Sequence, residues 1–222
     1  MLAQPAAQGE PFGTVGLKAP EGAMWAAWRR IRSDFRAQLP RLTRCLASAD
    51  VCNAAERLLR DIIKEAKAKQ GRAKIEIANV RVNAAIRYTS DERQWGVADA
   101  WSAPLGGNQE GSLNSGLGDC EDYSIAKYVV LRLAGLTASD LRVVLLRDNA
   151  VRIDHAVLAA RDGERWLILD NRWNALFDDR ELEKRFTPLF VIDADGVSML
   201  ARPFRISDQK AKGRPASRGQ RR

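Results

Sequence analysis

The sequence contains little histidine or cysteine and no long apolar run. It has one histidine and three cysteines among 222 residues, and no apolar stretch approaches the ~20 residues that a membrane-spanning helix needs. The missing run argues against a membrane span, and with 45% hydrophobic residues the chain can bury a substantial core. We therefore expect a soluble protein with one globular domain, in which any catalytic histidine must be His155.

Positive charge is concentrated at the C-terminus. The formal net charge is +8, but six of the basic side chains follow the last acid, Asp208, so the rest of the chain carries only +2. Residues 206–222 lack the apolar side chains needed to build a core, and we expect them to form a disordered basic tail. No aromatic residues are interleaved with these charges, so a solvated tail is favoured over nucleic-acid binding.

The histidine opens an apolar run, and a second such run follows the pair Asp162-Gly163. A tight turn centred on this pair predicts an antiparallel hairpin in which His155 directly faces Asp170. Residues directly opposite each other hold their Cβ atoms about 4.5–5.5 Å apart, so an imidazole N–H can reach the carboxylate. A three-residue loop would instead bring Asn171 opposite the histidine, so the choice of Asp170 depends on the loop length.

One cysteine stands at the expected start of a helix. Asp119 suits the N-cap position, Asp122 follows as in a capping box, and Gly135 marks the helix end. Cys120 therefore begins the helix, where the positive end of the macrodipole and a histidinium neighbour favour the thiolate. With the histidine and aspartate of the hairpin, this thiol gives a plausible nucleophile, base and orienting carboxylate.

Each of these features alone has an ordinary structural explanation. A lone cysteine is usually a small buried hydrophobe, a lone strand histidine is usually a core residue, and acids in a first helical turn usually cap the helix. The conjunction is more informative than its parts. A glycine-rich approach, a cysteine at a helix start and a histidine facing an aspartate together favour catalysis.

The same blocks resemble a known enzyme family. The sequence reads GDCEDYSIAKY at 118–128, DHAV at 154–157 and LDN at 169–171. These blocks are similar to those of the bacterial transglutaminase-like cysteine proteinases. The similarity is dense from about Trp101 to Asn171 and thinner over the N-terminal part.

The resemblance implies a fold and a set of roles. The fold is α+β, papain-like or transglutaminase-like, with a helical N-terminal lobe and the cysteine helix packed on an antiparallel sheet. The implied roles are Cys120 as the nucleophile, His155 as the general base and Asp170 as the orienting carboxylate. We expect an extended segment over 1–20 and one protease domain over 21–205.

We divide that domain into a helical lobe over about 21–100 and a catalytic core over about 101–205. Apolar residues at helical spacing predict three helices in the lobe. Later in the chain, two apolar runs that flank residues 193–196 predict a second hairpin. The first helix contains Trp25 to Phe35, and the other two cover Ala54–Lys69 and Ile75–Arg87. The start of the third, Ile75-Glu76-Ile77, would also suit a strand. The strands of the hairpin are predicted at Phe190–Ile192 and Val197–Leu200.

The resemblance also implies calcium, bound by the acids that flank the cysteine: Asp119, Glu121 and Asp122. Three carboxylates near a thiol raise its pKa, which is the wrong direction for a nucleophile unless a cation offsets them. Calcium prefers such oxygen ligands. From the residues alone, helix capping explains these acids equally well, because no loop of the EF-hand type is present.

The other two cysteines, Cys45 and Cys52, flank a plausible turn between helices. A disulfide between them would imply an oxidising compartment, but two free thiols remain an open alternative because Cα separation cannot be read from sequence.

The first residues, Met1 to Ala7, lack the basic region and apolar core of a signal peptide, and we interpret the start as a mature chain behind an added Met. The family resemblance supports a periplasmic location for the protein.

A tryptophan and a loop precede the cysteine block. Trp101 is interpreted as a wall of the substrate site or, equally well, as a packing residue. The glycine-rich loop at 106–108 that follows is expected to border the cleft and to supply backbone N–H groups to an oxyanion.

Taken together, the resemblance implies a calcium-dependent periplasmic cysteine endopeptidase with a protein substrate. That substrate would be the N-terminal region of a large surface adhesin, with an inner-membrane cyclic-di-GMP receptor as regulator. A transglutaminase or amidase-type acyl transferase is the alternative among enzymes. A non-catalytic, calcium-dependent peptide-binding module is the alternative outside them, although such a module has no need of a thiol.

Overall fold

The structure of the protein is a computed structural model that describes residues 9–106 and 111–203. The predicted basic tail and the glycine-rich loop beyond Gly106 lie outside the described residues. The helices are α1 (Ala23–Ala47), α2 (Ala54–Lys67), α3 (Gly71–Ala85), α4 (Asp91–Trp95), α5 (Ser112–Ser115) and α6 (Cys120–Leu133). The strands are β1 (Val15–Lys18), β2 (Arg87–Tyr88), β3 (Leu117–Gly118), β4 (Leu141–Asp148), β5 (Ile153–Asp162), β6 (Arg165–Leu169), β7 (Phe177–Asp178), β8 (Phe186–Ile192) and β9 (Val197–Ala201).

Seven of the strands form one antiparallel sheet in the order β1-β9-β8-β4-β5-β6-β7. The remaining two strands, β2 and β3, form a short parallel ribbon. Helices and an antiparallel sheet in one chain confirm the predicted α+β class. The strands β4 and β5, which are neighbours at the centre of the sheet, pair along eight residues each.

Helix α6 is the central helix of the fold. Nearly every residue from Glu121 to Leu131 is buried, as expected for a helix enclosed on all sides. One side of α6 packs on β4 and β5, and the other packs on α2 and α3. Helices α3 and α6 run antiparallel, since the Tyr123 hydroxyl donates to the Ile86 carbonyl and Lys74 Nζ donates to the Ala134 carbonyl.

The register of the β5–β6 hairpin differs from the prediction. Asp162 pairs with Arg165, so the two turn residues are Gly163 and Glu164 rather than the predicted pair. Only Gly163 takes a positive φ there, +64°, and glycine at the first turn position suits a two-residue hairpin loop. The observed pairing of β6 with β5 is shifted by two residues from the predicted pairing. Each side chain therefore stays on its predicted face of the sheet, but His155 is not directly opposite Asp170.

The helices of the N-terminal part follow the prediction closely. Helix α1 contains the apolar positions beginning at Trp25 and buries Trp28 and Ile31, and α2 begins at the predicted residue. Helix α3 begins four residues before the predicted start, so residues 75–77 are helical and the strand alternative is wrong. No helix in the described residues is both long and apolar enough to cross a membrane.

Cys45 and Cys52 form a disulfide, with their Cα atoms 5.0 Å apart. The bond ties the end of α1 to the short turn before α2, where Asn53 caps α2 in a capping box with Glu56. Among the described residues, which include every cysteine of the chain, Cys120 alone is a free thiol.

The second predicted hairpin is present. Strands β8 and β9 pair from Phe190–Met199 to Ile192–Val197 around the predicted turn. Strand β8 also pairs with β4, and its register shifts where Leu145 pairs with Phe190 but Leu146 pairs with Pro188. Leu189 is therefore the extra residue of a β-bulge, a feature that redirects side chains near functional sites.

Candidate active site

Cys120 is the first residue of α6, as predicted. Asp119 is the N-cap, and its backbone N–H donates to the Asp122 Oδ2 atom at 3.3 Å. The chain enters the helix through Gly118, where an added Cβ atom would lie only 2.7 Å from the same carboxylate oxygen. The close approach of the acid to the incoming backbone thus requires glycine before the helix and fixes the position of the thiol.

The thiol lies in a cleft of about 440 Å³ that is also lined by His155. Ala156, the strand residue that follows the histidine, lines the same cleft as the thiol. The rest of the lining combines acids with apolar side chains. It comprises Met24, Ala98, Asp99, Trp101, Asp119, Glu121, Leu145, Leu146, Asp154, Leu189 and Phe190.

The predicted contact between His155 and Asp170 is present. The Nε2 atom of His155 lies 3.0 Å from Oδ1 of Asp170, and both side chains are almost fully buried. Asp170 follows the last residue of β6, so the contact runs diagonally between the strands, within the reach of long side chains. An ionised carboxylate only accepts hydrogen bonds, so the proton sits on Nε2 and the Nδ1 atom is left for the cleft.

The Asp170 carboxylate is also held by Arg172. The Arg172 backbone N–H and Nε donate to Oδ1 at 2.9 and 3.1 Å, and Nη2 donates to Oδ2 at 2.8 Å. Burial acts to raise the pKa of Asp170, but the hydrogen bonds from His155 and Arg172 outweigh it and hold the pKa well below its usual range. Asp170 is therefore a carboxylate beside the histidine.

Two asparagines of α3 hold the backbone of the turn that contains Asp170. Asn83 Nδ2 donates to the carbonyl of Asp170 at 3.1 Å, and Asn79 Nδ2 donates to the carbonyl of Trp173 at 2.9 Å. Both asparagines lie within the third predicted helix, Ile75–Arg87, which the sequence did not connect to the site. The helices before the cysteine block thus position the carboxylate that the sheet carries.

The acids beside Cys120 form a larger cluster than the sequence indicated. Ligand atoms of Asp91, Asp99 and Glu121 lie within 4.8 Å of one another, and the same holds for Asp91, Asp119 and Asp122. Asp91 was missed, although the backbone explains its position. Strand β2 leads into α4 and the parallel strand β3 leads into α6, so the acids at the two helix starts lie side by side.

This cluster fits a bound calcium ion. In the part of the chain that the structure describes, the Oδ1 atoms of Asp91 and Asp119 are buried and have no hydrogen-bond partner. Asp91 itself is only 1% exposed. Buried carboxylate oxygens without donors are costly, and calcium takes six to eight oxygen ligands from such groups.

Charge and burial shift the acid-base behaviour of the site. Burial and neighbouring carboxylates raise the pKa of Glu121 to about 10 and the pKa of Asp122 to about 7. Burial and the charge of Glu121 also raise the pKa of the Cys120 thiol well above its usual value, and the thiol donates to Glu121 Oε2 at 3.3 Å. This is opposite to the direction expected from the helix N-terminus, and it is the direction expected for acids without a cation.

Asp122 has a second role that capping did not predict. Its Oδ1 atom accepts hydrogen bonds from the backbone N–H and hydroxyl of Ser102, at 2.8 and 2.9 Å. Through these bonds the acid ties the start of α6 to the segment that follows Trp101.

Trp101 both packs and lines the cleft. Its side chain is buried, its Nε1 donates to Asp99 Oδ1 at 3.0 Å, and its carbonyl accepts from Arg30 Nη2 at 2.9 Å. The two interpretations offered by the sequence are thus compatible. Of the following loop, predicted to supply N–H groups to an oxyanion, residues 107–110 lie outside the described residues.

A family model and several solved structures match this chain. A family model described as bacterial transglutaminase-like cysteine proteinase matches residues 41–187. Legionella pneumophila LapG matches with 21% identity and a TM-score of 0.59, over 71% of this chain and 87% of that chain.

Two further structures of that protein match in the same way. The structure described as calcium-bound has 22% identity and a TM-score of 0.59, and covers 71% of this chain and 87% of that chain. The structure described as EGTA-treated has 22% identity and a TM-score of 0.58, with 71% and 84% covered. These likenesses confirm the predicted fold, and no curated protein sequence matches the chain.

Proposed function

We propose that Cys120, His155 and Asp170 form the catalytic triad of this chain, which belongs to the bacterial transglutaminase-like cysteine proteinases and is a cysteine protease. The observation that carries the assignment is the 3.0 Å contact between His155 and Asp170 in the cleft that also holds the chain's free thiol. Nucleophile, base and orienting carboxylate are then each supplied by one residue.

In the proposed reaction, the Nδ1 atom of His155 takes the proton of the Cys120 thiol, and the sulfur attacks the carbonyl carbon of a peptide bond. The imidazolium then protonates the leaving amine, and a thioester forms. Water attacks the thioester carbonyl while the histidine takes its proton, and the C–S bond then breaks. The acid product leaves, and the imidazolium returns the proton to the sulfur, which restores the thiol. Asp170 stays ionised throughout and keeps the imidazole in the required tautomer.

The start of α6 provides a donor for the developing oxyanion. The first N–H groups of a helix have no acceptor within the helix, and the N–H of Cys120 is in this position. We assign it to the oxyanion because a free N–H at a helix start stabilises negative charge that develops beside it. The wall formed by Trp101 and the bulged β8 segment would then hold the substrate chain beside the sulfur.

Calcium is proposed as the resident metal, held by Asp119, Glu121 and Asp91, with Asp122 in the same cluster. The clustered carboxylates and the two unpartnered oxygens support this assignment. The existence of calcium-bound and EGTA-treated structures of the LapG relative also supports it. The ion would offset the negative charge that raises the pKa of the Cys120 thiol.

The proposed compartment is the periplasm. The disulfide between Cys45 and Cys52 supports it, because such bonds persist in oxidising compartments. The substrate we propose is a protein presented there, such as the N-terminal region of a large surface adhesin, and an inner-membrane cyclic-di-GMP receptor would regulate access. Family membership supports the substrate class.

The test is cleavage of a periplasm-exposed proteome by the wild-type protein and by Cys120→Ala, each with calcium and with EGTA. New N-termini are identified by mass spectrometry. We expect cleavage only by the wild type and only with calcium. Identical new N-termini with the Cys120→Ala variant would contradict the triad, whereas full activity in EGTA would contradict the calcium requirement alone. Products crosslinked or deamidated at glutamine, without new N-termini, would indicate an acyl transferase instead.

A further inference from the structure

We propose that Arg172 is a positioning residue for catalysis: its guanidinium fixes the Asp170 carboxylate so that one oxygen stays on His155. This inference rests on the proposed function, which gives His155 and Asp170 their roles. Arg172 follows the recognisable sequence block, and nothing in its position along the chain indicates a role.

The contacts between Arg172 and Asp170 leave the carboxylate little freedom. Oδ1 accepts from the Arg172 backbone N–H at 2.9 Å and from Nε at 3.1 Å, while Oδ2 accepts from Nη2 at 2.8 Å and from Nε at 3.2 Å. The His155 ring takes the remaining direction on Oδ1. Rotation of the carboxylate about χ2, a soft torsion in aspartate, would break several of these bonds at once.

The guanidinium is itself fixed from the sheet. Its Nη1 atom donates to Oδ2 of Asp148 at 2.8 Å, and the Asp148 side chain is fully buried at the end of β4. Asp148 is held in turn by the backbone N–H of Ala150 and by Nη2 of Arg185, both at 3.0 Å. Because β4 pairs with the strand that carries His155, one sheet determines the positions of the histidine and of the anchor.

Aromatic rings enclose the same guanidinium. Its carbon lies 5.1 Å from the centre of the Trp173 ring and 5.7 Å from that of Phe186. The Phe186 ring also lies 6.4 Å from the His155 ring. A planar guanidinium can stack on rings and bridge two carboxylates simultaneously, whereas an ammonium group provides a point charge without this geometry.

Arg185 provides a matched control. It carries the same charge, donates to the same Asp148 oxygen and lies over the same two rings. In the described part of the chain, however, it forms no hydrogen bond or ion pair with Asp170. A variant that merely weakens the cluster should therefore resemble Arg185→Met. A variant that releases the carboxylate should differ from it.

The experiment compares wild type, Arg172→Met, Arg172→Lys and Arg185→Met by two measurements. Since His155 is the sole histidine, ¹⁵N NMR of its ring gives one unambiguous set of signals for the tautomer of the neutral imidazole. Kinetics on a cleaved peptide give kcat and KM separately. We expect Arg172→Met to mix the tautomers and to lower kcat on the order of 10–100-fold with little change in KM.

The lysine variant should fall between wild type and Arg172→Met. Arg185→Met should shift the tautomer and kcat clearly less than Arg172→Met, because Arg185 reaches Asp148 but not Asp170. The proposal is overturned if Arg172→Met keeps both the wild-type tautomer and kcat, or if Arg185→Met shifts them equally. If the methionine variant does not fold, the tautomer of the lysine variant decides: a wild-type ring spectrum there overturns the proposal. An inactive wild type would contradict the proposed function, whereas the tautomer comparison would still test the positioning role.

Discussion

The imidazole of His155 and the carboxylate of Asp170 form a buried pair, with 3.0 Å between Nε2 and Oδ1 and side-chain exposures of 5% and 1%. In such surroundings water competes little for either partner, and a hydrogen bond to an ionised group is stronger than at the surface. The pair therefore determines which ring nitrogen faces the cleft.

The first prediction concerns this pair. Asp170→Asn keeps the size of the side chain but allows its amide to donate to the ring, which favours the wrong tautomer. We expect kcat to fall on the order of 10²–10⁴-fold with KM little changed. Steady-state kinetics on a cleaved peptide check this, with Asp61→Asn on the exposed face of α2 as the control. An Asp170→Asn variant as active as the control would remove Asp170 from the mechanism.

The second prediction concerns Lys127, a fully buried residue of α6. Burial lowers its pKa to about 7, against the opposing effect of the Asp170 charge. Between this pH and the unfolded value of 10.5, the unfolded chain binds the proton and the folded chain does not, so this residue makes stability rise with pH.

Lys127→Met removes this dependence. We expect the variant to gain unfolding free energy relative to wild type near neutral pH, and the gain should shrink as the pH approaches the unfolded value. Urea unfolding at several pH values measures the difference. Lys67→Met, at an exposed position of α2, should show no such trend. A gain that is the same at all pH values would indicate that Lys127 is charged in the folded protein.

The third prediction concerns metal removal. A ligand that binds only the folded state stabilises it by about 2.7 kcal/mol at a concentration one hundred times Kd. Calcium should therefore raise the Tm, and EGTA should reverse the rise. In Asp91→Asn the calcium-dependent rise should be lost or strongly reduced, because one of the unpartnered oxygens is replaced. A Tm that is indifferent to calcium in the wild type would assign these acids to helix capping alone.

The fourth prediction concerns the disulfide. Breaking the short loop closed by Cys45 and Cys52 should cost about 2–3 kcal/mol of unfolding free energy by the chain-entropy relation. The double variant Cys45→Ala/Cys52→Ala, measured by denaturant unfolding, tests this. Its triad geometry should be unchanged, so proteolysis below the unfolding midpoint should match the wild type. Equal stability of the two proteins would show that the bond has no stabilising role.

The sequence was sufficient for the elements that depend on local rules. The start of α6 at Cys120 follows from its capping residues. The placement of His155 and Asp170 on the same face of the sheet follows from strand alternation, which survives any even shift of register. The shift itself was not predictable from the pair Asp162-Gly163, because glycine can occupy either central position of a two-residue turn.

The rest of the site depends on tertiary contacts that no local pattern contains. Asp91 reaches the cysteine through the pairing of two-residue strands, which are too short to be recognised as strands in the sequence. Arg172, which follows β6, meets Asp148 at the end of β4 only because both strands pair with β5 in one sheet. The Cα separation of the disulfide is likewise a product of the fold.

The most direct test of the account is to alkylate the protein with iodoacetamide and to measure, in the same samples, the modified fraction of Cys120 and the remaining proteolytic activity. The disulfide leaves Cys120 as the reactive thiol. We expect activity, assayed with calcium restored, to decline in proportion to this single modification. The modification itself should be faster with calcium than with EGTA, and slow in His155→Ala. Full modification of Cys120 with proteolysis intact would contradict the assignment of this thiol as the nucleophile.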